Sequence, residues 1–287
     1  MERSTGTSDR YQQAAGGTQP VVFSEMPELP EVEHAAAVAR AVAVGRTITS
    51  VIVRHRSQRR GLPAREARSL VGDRVVALDR RGKAQRFRLA SGRELQVHFR
   101  MTGDWIIPGP GKLPRTVRAI LAFDDGGRLA LDDPRALSVL SLCPAGNEDD
   151  GLGPDAIDPR LTAPHLAGAL ASRRIGIKVA LLDQRVVAGI GNIYASEALW
   201  RARIDPRTPA NLLDLTQLGA LVVAIRTTMK GALKRQGRYY RDASGGRDSG
   251  RFAVYDEEGE PCRRCRRPIT RITQAGRSTY FCARCQT

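Results

Sequence analysis

Four of the five cysteines in this chain lie near its C-terminus, in two Cys-x2-Cys pairs that 16 residues separate. The pairs are Cys262 with Cys265 and Cys282 with Cys285. Each pair fits a tight turn that points two thiolates at one metal, so the two pairs together predict a closed, tetrahedral zinc site. Two disulfides or four free thiols are the alternatives, and an intracellular protein disfavours disulfides. The fifth cysteine, Cys143, is expected to be an ordinary thiol outside this set.

A closed zinc site stabilises its surroundings and does no chemistry by itself. Here it would hold together a small hairpin that cannot bury enough core alone. Between Cys262 and Cys285 the chain has no acidic residue and many arginines: Arg263, Arg264, Arg266, Arg267, Arg271, Arg277 and Arg284. This pattern is typical of a hairpin that contacts phosphates. The alternative is a purely structural finger whose arginines face water.

The charge balance of the whole chain indicates the same kind of partner. Lys and Arg number 46 and Asp and Glu number 30 in 287 residues, which gives a formal net charge of +16. Such an excess favours a polyanionic partner, nucleic acid first, because each phosphate contact releases counterions. A solvated basic surface without a partner is the alternative. Aromatic residues make up 5% of the chain, which argues against extensive stacking of bases on aromatic side chains.

The order of sequence patterns predicts an α+β protein in several parts. Residues 1–25 are polar and aperiodic, which indicates a disordered extension or a translation start assigned too far upstream. These residues do not predict a signal peptide, and no apolar run in the sequence is long enough to predict a membrane span. A helix is predicted from Pro30 to about Val44, followed by β-like runs from Thr47 to about Ser141 that include an alternating strand over Leu95–Met101. After a Gly- and Pro-rich linker, helical patterns cover Leu161–Arg173, Lys178–Gln184, Ile193–Arg203 and Leu215–Arg235.

Three separated motifs resemble those of one family, the bacterial formamidopyrimidine-DNA glycosylases. They are MPELPEVE at 26–33, GIGNIYASE at 189–197 and GRSTYFC at 276–282. The resemblance implies an N-terminal antiparallel β-sandwich, a helical helix–two-turn–helix domain and a C-terminal four-cysteine zinc finger. The implied boundaries are 26–145 for the catalytic sandwich, 146–158 for a linker, 159–245 for the DNA-binding helices and 246–287 for the zinc finger.

By the same resemblance, a few residues carry the chemistry. Pro27 attacks C1′ of a damaged nucleotide through a free α-amino nitrogen, displaces the base and leaves an iminium. Glu28 is the general acid/base, and Glu31 is a supporting residue at the same helix start. Lys83 reaches the phosphate at the lesion and assists β-elimination, and Arg277 grips the lesion phosphates and assists δ-elimination. The alternative for Pro27, Glu28 and Glu31 is that they only form a helix start. The alternative for Lys83 and Arg277 is that they are solvated surface charges.

Seven further residues match positions at which the family contacts DNA: Met101, Arg118, Arg135, Leu137, Arg173, Lys178 and Asn192. Base excision needs the nucleotide out of the stack, and Met101 and Arg135 match residues that fill the resulting hole. The turn at 189–192 is expected to bring backbone N–H groups to a phosphate, with packing as the alternative role of its two glycines.

The sequence departs from the family pattern around the hole-filling residues. Leu137 stands where Phe is usual, Ala136 replaces an Arg, Arg100 replaces a Gly, and Arg118 stands where His is usual. These departures bear on the opposite-base preference, because this loop reads the partner of the lesion. The segment Arg241–Arg251 corresponds to the family's lesion-capping loop.

Residues 1–26 conflict with the implied chemistry, because while attached they make the Pro27 nitrogen a tertiary amide. Either translation starts at Met26, which is then removed, or the protein is a non-catalytic relative; the intact downstream motifs favour the first. We therefore expect a bifunctional glycosylase and lyase for oxidised purines, 8-oxoguanine and formamidopyrimidines. An oxidised-pyrimidine glycosylase of the same family and a zinc-ribbon DNA-binding protein are the alternatives. We expect one structural Zn²⁺ as the cofactor and damaged double-stranded DNA as the partner. We also expect the protein to be a monomer and to be located in the bacterial cytoplasm.

Overall fold

A computed structural model of the chain describes residues 26–144, 150–235 and 252–287. These residues form two compact units, one of 26–27 and 31–144 and the other of 28–30, 150–235 and 252–287. The N-terminal extension at 1–25 and the expected capping segment Arg241–Arg251 lie outside the described residues.

Helix α1, Leu29–Ala43, packs one face into the core of the first unit. Small and branched residues recur at helical spacing on that face and are buried: Val32, Ala35, Ala36, Ala39, Val42 and Ala43. Pro30 lies in the first turn, where its missing N–H leaves no intrahelical bond unmade. The helix ends within one residue of its predicted end, and Gly45 follows it at a φ of +85°.

Eight strands of the first unit form two four-stranded antiparallel sheets. The strands are β1 Ile48–Val53, β2 Val75–Arg81, β3 Ala84–Leu89, β4 Arg93–His98, β5 Asp104–Ile106, β6 Val117–Phe123, β7 Arg128–Asp132 and β8 Val139–Pro144. One sheet has the order β1-β6-β7-β5 and the other β2-β3-β4-β8. Apolar side chains from both sheets and from α1 form one buried cluster, which confirms the predicted N-terminal antiparallel architecture.

The strand predicted over Leu95–Met101 ends earlier than expected, at His98. Leu95 and Val97 alternate as predicted and are buried. Arg100 then takes a φ of +58°, a left-handed conformation that turns the chain out of the sheet. Two short helices, α2 Arg56–Gly61 and α3 Ala64–Ser69, lie in a stretch for which the sequence predicts no helix.

The second unit is helical and carries the cysteine hairpin. Its helices are α4 Ala163–Leu170, α5 Ile177–Leu181, α6 Asn192–Ala202 and α7 Leu215–Lys234, with a short 3₁₀ helix at Ala210–Leu212. Strands β9 Thr270–Gln274 and β10 Arg277–Phe281 pair antiparallel between the two cysteine pairs. The predicted α+β class is confirmed, while the four-part division of the chain stays a prediction. Among the described residues, no helix is both long and apolar enough to cross a membrane.

Candidate functional site

The four C-terminal cysteines converge on one point. Their sulfur atoms lie within 4.8 Å of one another, and Sγ of Cys265 lies 3.4 Å from Sγ of Cys282. A tetrahedral zinc site with bonds of about 2.3 Å has sulfurs roughly 3.8 Å apart, so this donor set fits one Zn²⁺. None of these four cysteines forms a disulfide, and neither does Cys143.

Backbone hydrogen bonds act on the thiols of this cluster. Although burial opposes it, N–H donors from Arg264 and Cys265 lower the pKa of Cys262 to about 6. Burial and the neighbouring thiols raise the pKa of Cys285 to about 12. Zinc binds cysteine as the thiolate, so metal binding at this cluster releases protons.

Side chains around the cysteines tie them to helix α6. Gln286 is 1% exposed; its Oε1 accepts from the Cys282 N–H and its Nε2 donates to the Ile204 carbonyl, each at 2.9 Å. The guanidinium of Arg264 lies 3.9 Å from the centre of the Trp200 ring and donates to the Trp200 carbonyl at the C-terminal end of α6. At least one hairpin arginine is therefore engaged within the protein rather than facing a phosphate.

Arg277 lies at the tip of the cysteine hairpin. It pairs with Gln274 across the two strands, so that Ala275 and Gly276 form a two-residue turn. Both turn residues have positive φ, +47° and +73°, as a type I′ turn requires. Arg277 is exposed at the first position of β10, where its guanidinium can reach a ligand outside the hairpin.

The carboxylate of Glu28 is held at the N-terminus of α6. Glu28 is 2% exposed, and its oxygens accept from the backbone N–H groups of Gly191 at 2.6 Å, Ile193 at 2.8 Å and Tyr194 at 3.4 Å. These donors hold the carboxylate in one orientation at the positive end of the helix dipole. Within the turn at 189–192, the Gly191 N–H therefore binds Glu28 and the Gly189 N–H binds Oε1 of Gln184, while the expected phosphate contact by this turn stays a prediction.

The glycine turn before α6 also has a packing role. Gly189 has a φ of +91°, and a Cβ there would lie 2.8 Å from Cδ1 of Leu29. The Leu29 N–H donates to the Gly189 carbonyl at 3.0 Å. A side chain at position 189 would thus push away the residue that follows Glu28, so the packing alternative holds for this glycine.

Lys178 is fully buried and joins two parts of the candidate DNA-binding set. Its Nζ donates to Oδ1 of Asn192 and to the carbonyl of Ser278 at 3.4 Å. With Oδ1 used in this way, Nδ2 is the donor group that Asn192 can offer to a phosphate. The Ser278 carbonyl belongs to the residue after Arg277, so the lysine connects α6 with the hairpin tip.

Arg173 is engaged inside the second unit. Its Nε donates to the Ala169 carbonyl at 3.1 Å, and Nη2 lies 2.8 Å from Oδ2 of Asp183. Arg185 and Arg173 hold the pKa of Asp183 well below its usual range. The expected phosphate contact by Arg173 stays a prediction, and its geometry in this structure is that of an ion pair.

In the first unit, the hole-filling residues lie on two joined loops. Met101 precedes Thr102, whose hydroxyl donates to Oδ1 of the fully buried Asp133. The other oxygen of Asp133 accepts from the Ser138 N–H at 2.7 Å, and Ser138 directly follows Leu137. One buried carboxylate therefore fixes both loops.

Arg118, in β6, and Arg135 both form hydrogen bonds with these two loops. The Nε of Arg118 donates to the Asp133 carbonyl at 2.6 Å and its Nη2 to the Pro134 carbonyl at 2.9 Å. Arg135 is exposed, and its N–H donates to the Thr102 hydroxyl at 3.3 Å. Neither Asp133 nor Thr102 belongs to a motif that predicts this role; the one local signal for it is an Asp-Pro turn between apolar strands.

The remaining candidate residues of the first unit lie at element ends. Pro27 is buried two residues before the start of α1, and Glu31 is 7% exposed in the first turn of that helix. Lys83 is half-buried in the two-residue turn between β2 and β3, in which Arg81 pairs with Ala84. Gly82 precedes it with a φ of +56°.

Glu197, at the end of the GIGNIYASE motif, has a role that the sequence analysis missed. Its carboxylate accepts from the backbone N–H groups of Ala253, Val254 and Tyr255 at 2.8–3.0 Å. Burial raises its pKa, while these donors act in the opposite direction. Glu197 thereby fixes the backbone that leads into the cysteine hairpin.

Comparison with known proteins accounts for these features together. The chain matches a family model for the formamidopyrimidine-DNA glycosylase N-terminal domain over residues 26–140 and one for the H2TH domain of the same glycosylases over 152–244. A zinc finger found in FPG and IleRS matches residues 259–287. The chain belongs to the formamidopyrimidine-DNA glycosylase family. This membership confirms the resemblance and makes DNA the partner class.

Relatives in this family match over nearly their whole length. The formamidopyrimidine-DNA glycosylase of Paracoccus denitrificans is 40% identical, over 91% of this chain and 100% of the relative. The MutM (Fpg) protein of Thermus thermophilus has a TM-score of 0.78 at 35% identity, over 91% and 98% of the two chains. Lactococcus lactis Fpg in complex with N7-benzyl-Fapy-dG-containing DNA has a TM-score of 0.83 at 29% identity, over 91% and 99%. The roles of individual site residues stay predictions.

Proposed function

We propose that this chain excises oxidised purines from double-stranded DNA and then cleaves the strand, with the α-amino nitrogen of Pro27 as the nucleophile. The observation that carries the proposal is that the match to the glycosylase N-terminal domain begins at residue 26, directly before Pro27. The related Lactococcus lactis complex with N7-benzyl-Fapy-dG-containing DNA supports a ring-opened purine as a substrate, and a MutM complex with carbocyclic 8-oxo-G-containing DNA supports an oxidised one.

Removal of residues 1–26 makes Pro27 a secondary amine. The pKa of an α-amino group is about 7.7–8.0, so a useful fraction is neutral at pH 7, unlike lysine at about 10.4. Attack forms a bond between this nitrogen and C1′ while the bond from C1′ to the base breaks, and the base leaves with the electron pair. The nitrogen then loses its proton, and the C1′–O4′ bond of the sugar breaks with a proton going to O4′, which gives the iminium. The iminium makes the C2′ proton acidic, so removal of that proton expels the 3′ phosphate by β-elimination. A second elimination then releases the 5′ phosphate.

Glu28 and Glu31 are proposed to manage protons at this centre. Three backbone donors fix the carboxylate of Glu28 beside Pro27 in the chain, which supports its role as a general acid/base with one defined orientation. Glu31, one helical turn further on, supports the same helix start. Lys83 and Arg277 are proposed to act on the phosphates that leave in the two eliminations.

The DNA contacts follow the site residues described above. Met101, Arg135 and Leu137 fill the hole left by the extruded nucleotide, and Arg118 holds their loop. On the helical side, Asn192 contributes to DNA binding directly. Lys178 and Arg173 contribute through the residues that they position, which are Asn192 for Lys178 and Asp183 for Arg173. One Zn²⁺ on the four cysteines crosslinks the hairpin that carries Arg277 and takes no part in the chemical steps. The enzyme acts as a monomer in the bacterial cytoplasm.

Borohydride trapping tests the proposal, because it reduces an iminium to a stable amine and joins an active enzyme to its DNA. A form that starts at Met26 should trap and cleave DNA that contains 8-oxoguanine, a formamidopyrimidine or an abasic site. The intact 287-residue form, with its N-terminus verified by mass, should bind DNA but do neither. Pro27→Gly keeps a primary amine, so residual trapping by that variant agrees with the proposal.

Two outcomes would contradict the proposal. Equal trapping by the unprocessed long form would indicate an internal amine, such as that of Lys83, as the nucleophile. Binding without trapping by both forms would indicate a DNA-binding protein without catalysis. An oxidised pyrimidine as a parallel substrate tests the alternative specificity.

A further inference from the structure

An almost completely buried arginine joins helix α1 to the turn that carries Lys83. The side chain of Arg80 is 6% exposed, and its Nε donates to Oε2 of Glu33 at 2.9 Å. Its Nη1 donates to the carbonyl of Gly82 at 2.9 Å. Lys83 is the next residue, so a single guanidinium connects a helix carboxylate with the peptide group from which Lys83 continues.

Glu33 is itself fixed from a second side. Its Oε1 accepts from Nη1 of Arg40 at 2.7 Å, and Nε of Arg40 donates to the Leu78 carbonyl at 2.7 Å. Although burial opposes it, Arg40 and Arg80 lower the pKa of Glu33, which keeps the carboxylate ionised at neutral pH. Glu33 therefore holds Arg80 of β2 and Arg40 of α1 in defined positions.

The bond to Gly82 matters because of the turn that it constrains. Gly82 and Lys83 form a two-residue connection, and Gly82 takes a φ of +56°, a region that glycine enters and leaves at little cost. The peptide group between Gly82 and Lys83 is planar, so fixing the carbonyl oxygen also fixes the direction in which Lys83 leaves the turn. A planar guanidinium holds two acceptors at once in a set geometry, which a lysine at position 80 cannot do.

We propose that Arg80 and Glu33 are positioning residues for Lys83 in the elimination reaction. They orient the Gly82 carbonyl and thereby hold the Lys83 ammonium where it meets the leaving phosphate. A buried ion pair adds little net stability compared with apolar packing. Control of the turn geometry therefore explains the position of the Arg80–Glu33 pair beside the turn better than a gain in stability does. The proposal rests on the proposed function, because it takes the role of Lys83 from there.

A double-mutant cycle tests the proposal in the form that traps DNA. The variants are Arg80→Met, Lys83→Ala and the double variant, with Arg40→Met as a matched control that also loses a bond to Glu33 but does not touch Gly82. Single-turnover cleavage of abasic DNA, borohydride trapping and the Kd for DNA are measured, and melting temperatures confirm folding. Glu33→Gln and Arg80→Lys provide milder variants if Arg80→Met does not fold.

Arg80→Met should slow cleavage roughly 10- to 100-fold, the loss typical of a misplaced reactive group, while the Kd changes less than about threefold. In the Lys83→Ala background the same substitution should cause no further loss, because Arg80 acts through Lys83. Multiplicative losses, or an equal loss in Arg40→Met, would overturn the proposal.

Hydrogen exchange separates this proposal from the proposed function. In the DNA-free protein, Arg80→Met should raise amide exchange at 82–84 and Arg40→Met should not. If the parent protein fails to trap or cleave DNA, the proposed function fails, while the exchange comparison still tests the bridge. Unchanged exchange in Arg80→Met would overturn the positioning role whatever the activity.

Discussion

At position 100 an arginine occupies backbone space that favours glycine, with a φ of +58°. A side chain in this region costs roughly 1–2 kcal/mol. The Arg100 N–H donates to Nδ1 of His98 at 3.0 Å, which ties the strained residue to the end of β4. The family resemblance places glycine here, so the arginine in this chain adds both backbone strain and a positive charge next to Met101. At this scale, a single side chain changes both the backbone energy and the charge of the hole-filling loop.

His98 should make the folding stability depend on pH. Burial, followed by the charges of Arg100 and Lys83, lowers the pKa of His98 from 6.5 to about 4. Because the folded-state pKa is below the unfolded value, the stabilisation is complete above about pH 6.5 and is lost as the pH falls through 4. We expect a loss of about 2 kcal/mol in the free energy of unfolding between pH 7.5 and 4.5, measured by urea titration.

His98→Asn provides the control for this expectation. Its Oδ1 keeps an acceptor for the Arg100 N–H but does not titrate between these pH values. The difference in stability between parent and variant should therefore shrink at pH 4.5. An identical pH dependence in both proteins would show that other groups are responsible.

At the scale of elements, the two hole-filling loops depend on one buried carboxylate. Asp133 joins Thr102 to Ser138, and the side-chain amide of Gln58 donates to the Ser138 carbonyl at 2.9 Å. None of these four residues is in the motifs that identify the family. They form a small polar network within the apolar sandwich, where a missing partner is costly.

Thr102→Val should destabilise the protein by about 1–3 kcal/mol, because it leaves one oxygen of the buried Asp133 without its hydroxyl donor. Thr102→Ser keeps the hydroxyl and should lose less. Urea unfolding measures both variants. We further expect Thr102→Val to reduce the ratio of excision rates opposite cytosine and adenine, since the loops carrying Met101 and Leu137 lose their fixed spacing. Equal stability of the Val and Ser variants would contradict the role of the bond.

The cysteine hairpin gives the second prediction at this scale. Cys282→Ser should lose the metal and DNA affinity together, because a hairpin this small depends on its crosslink. Metal analysis and DNA titration measure the two losses. Cys143→Ser, a change at a thiol outside the cluster, should alter neither. A metal-free Cys282→Ser protein with normal affinity for DNA would rule out a structural role for zinc in binding.

For the whole molecule, the excess of 46 basic over 30 acidic residues predicts binding to DNA that weakens steeply with salt. The structure qualifies this, because several arginines are used within the protein. Arg264 lies on Trp200, Arg118 binds loop carbonyls and Arg173 pairs with Asp183. Net charge alone therefore overstates how many phosphates the protein neutralises.

Arg277→Ala should lower the slope of log Kd against log salt by about one and weaken binding to all sequences alike, as expected for a lost phosphate contact. Strand cleavage should fall as well. Arg264→Gln removes a charge from the same hairpin but one engaged with Trp200, so its slope should stay close to that of the parent. A normal slope and normal cleavage in Arg277→Ala would refute the assignment.

Local patterns in the sequence are enough to predict the zinc ligands, the longer helices and the antiparallel architecture, but not the short helices α2 and α3. Spacing within a few residues determines which side chains share a turn or a face, so Cys262 with Cys265, or the buried face of α1, can be identified without coordinates. The motifs of the family similarly identify Pro27, Glu28 and Arg277 as candidates. Their surroundings do not follow from the motifs.

Only the tertiary structure decides which partners these residues have. Glu28 binds N–H groups more than 160 positions away, Lys178 reaches Ser278 100 positions on, and Arg80 bridges Glu33 and Gly82. Each case joins a side chain to a backbone group that has no side-chain pattern of its own, so no motif marks it. Local patterns therefore predict the longer elements, the metal ligands and the family, whereas folding sets which donors and acceptors remain for DNA.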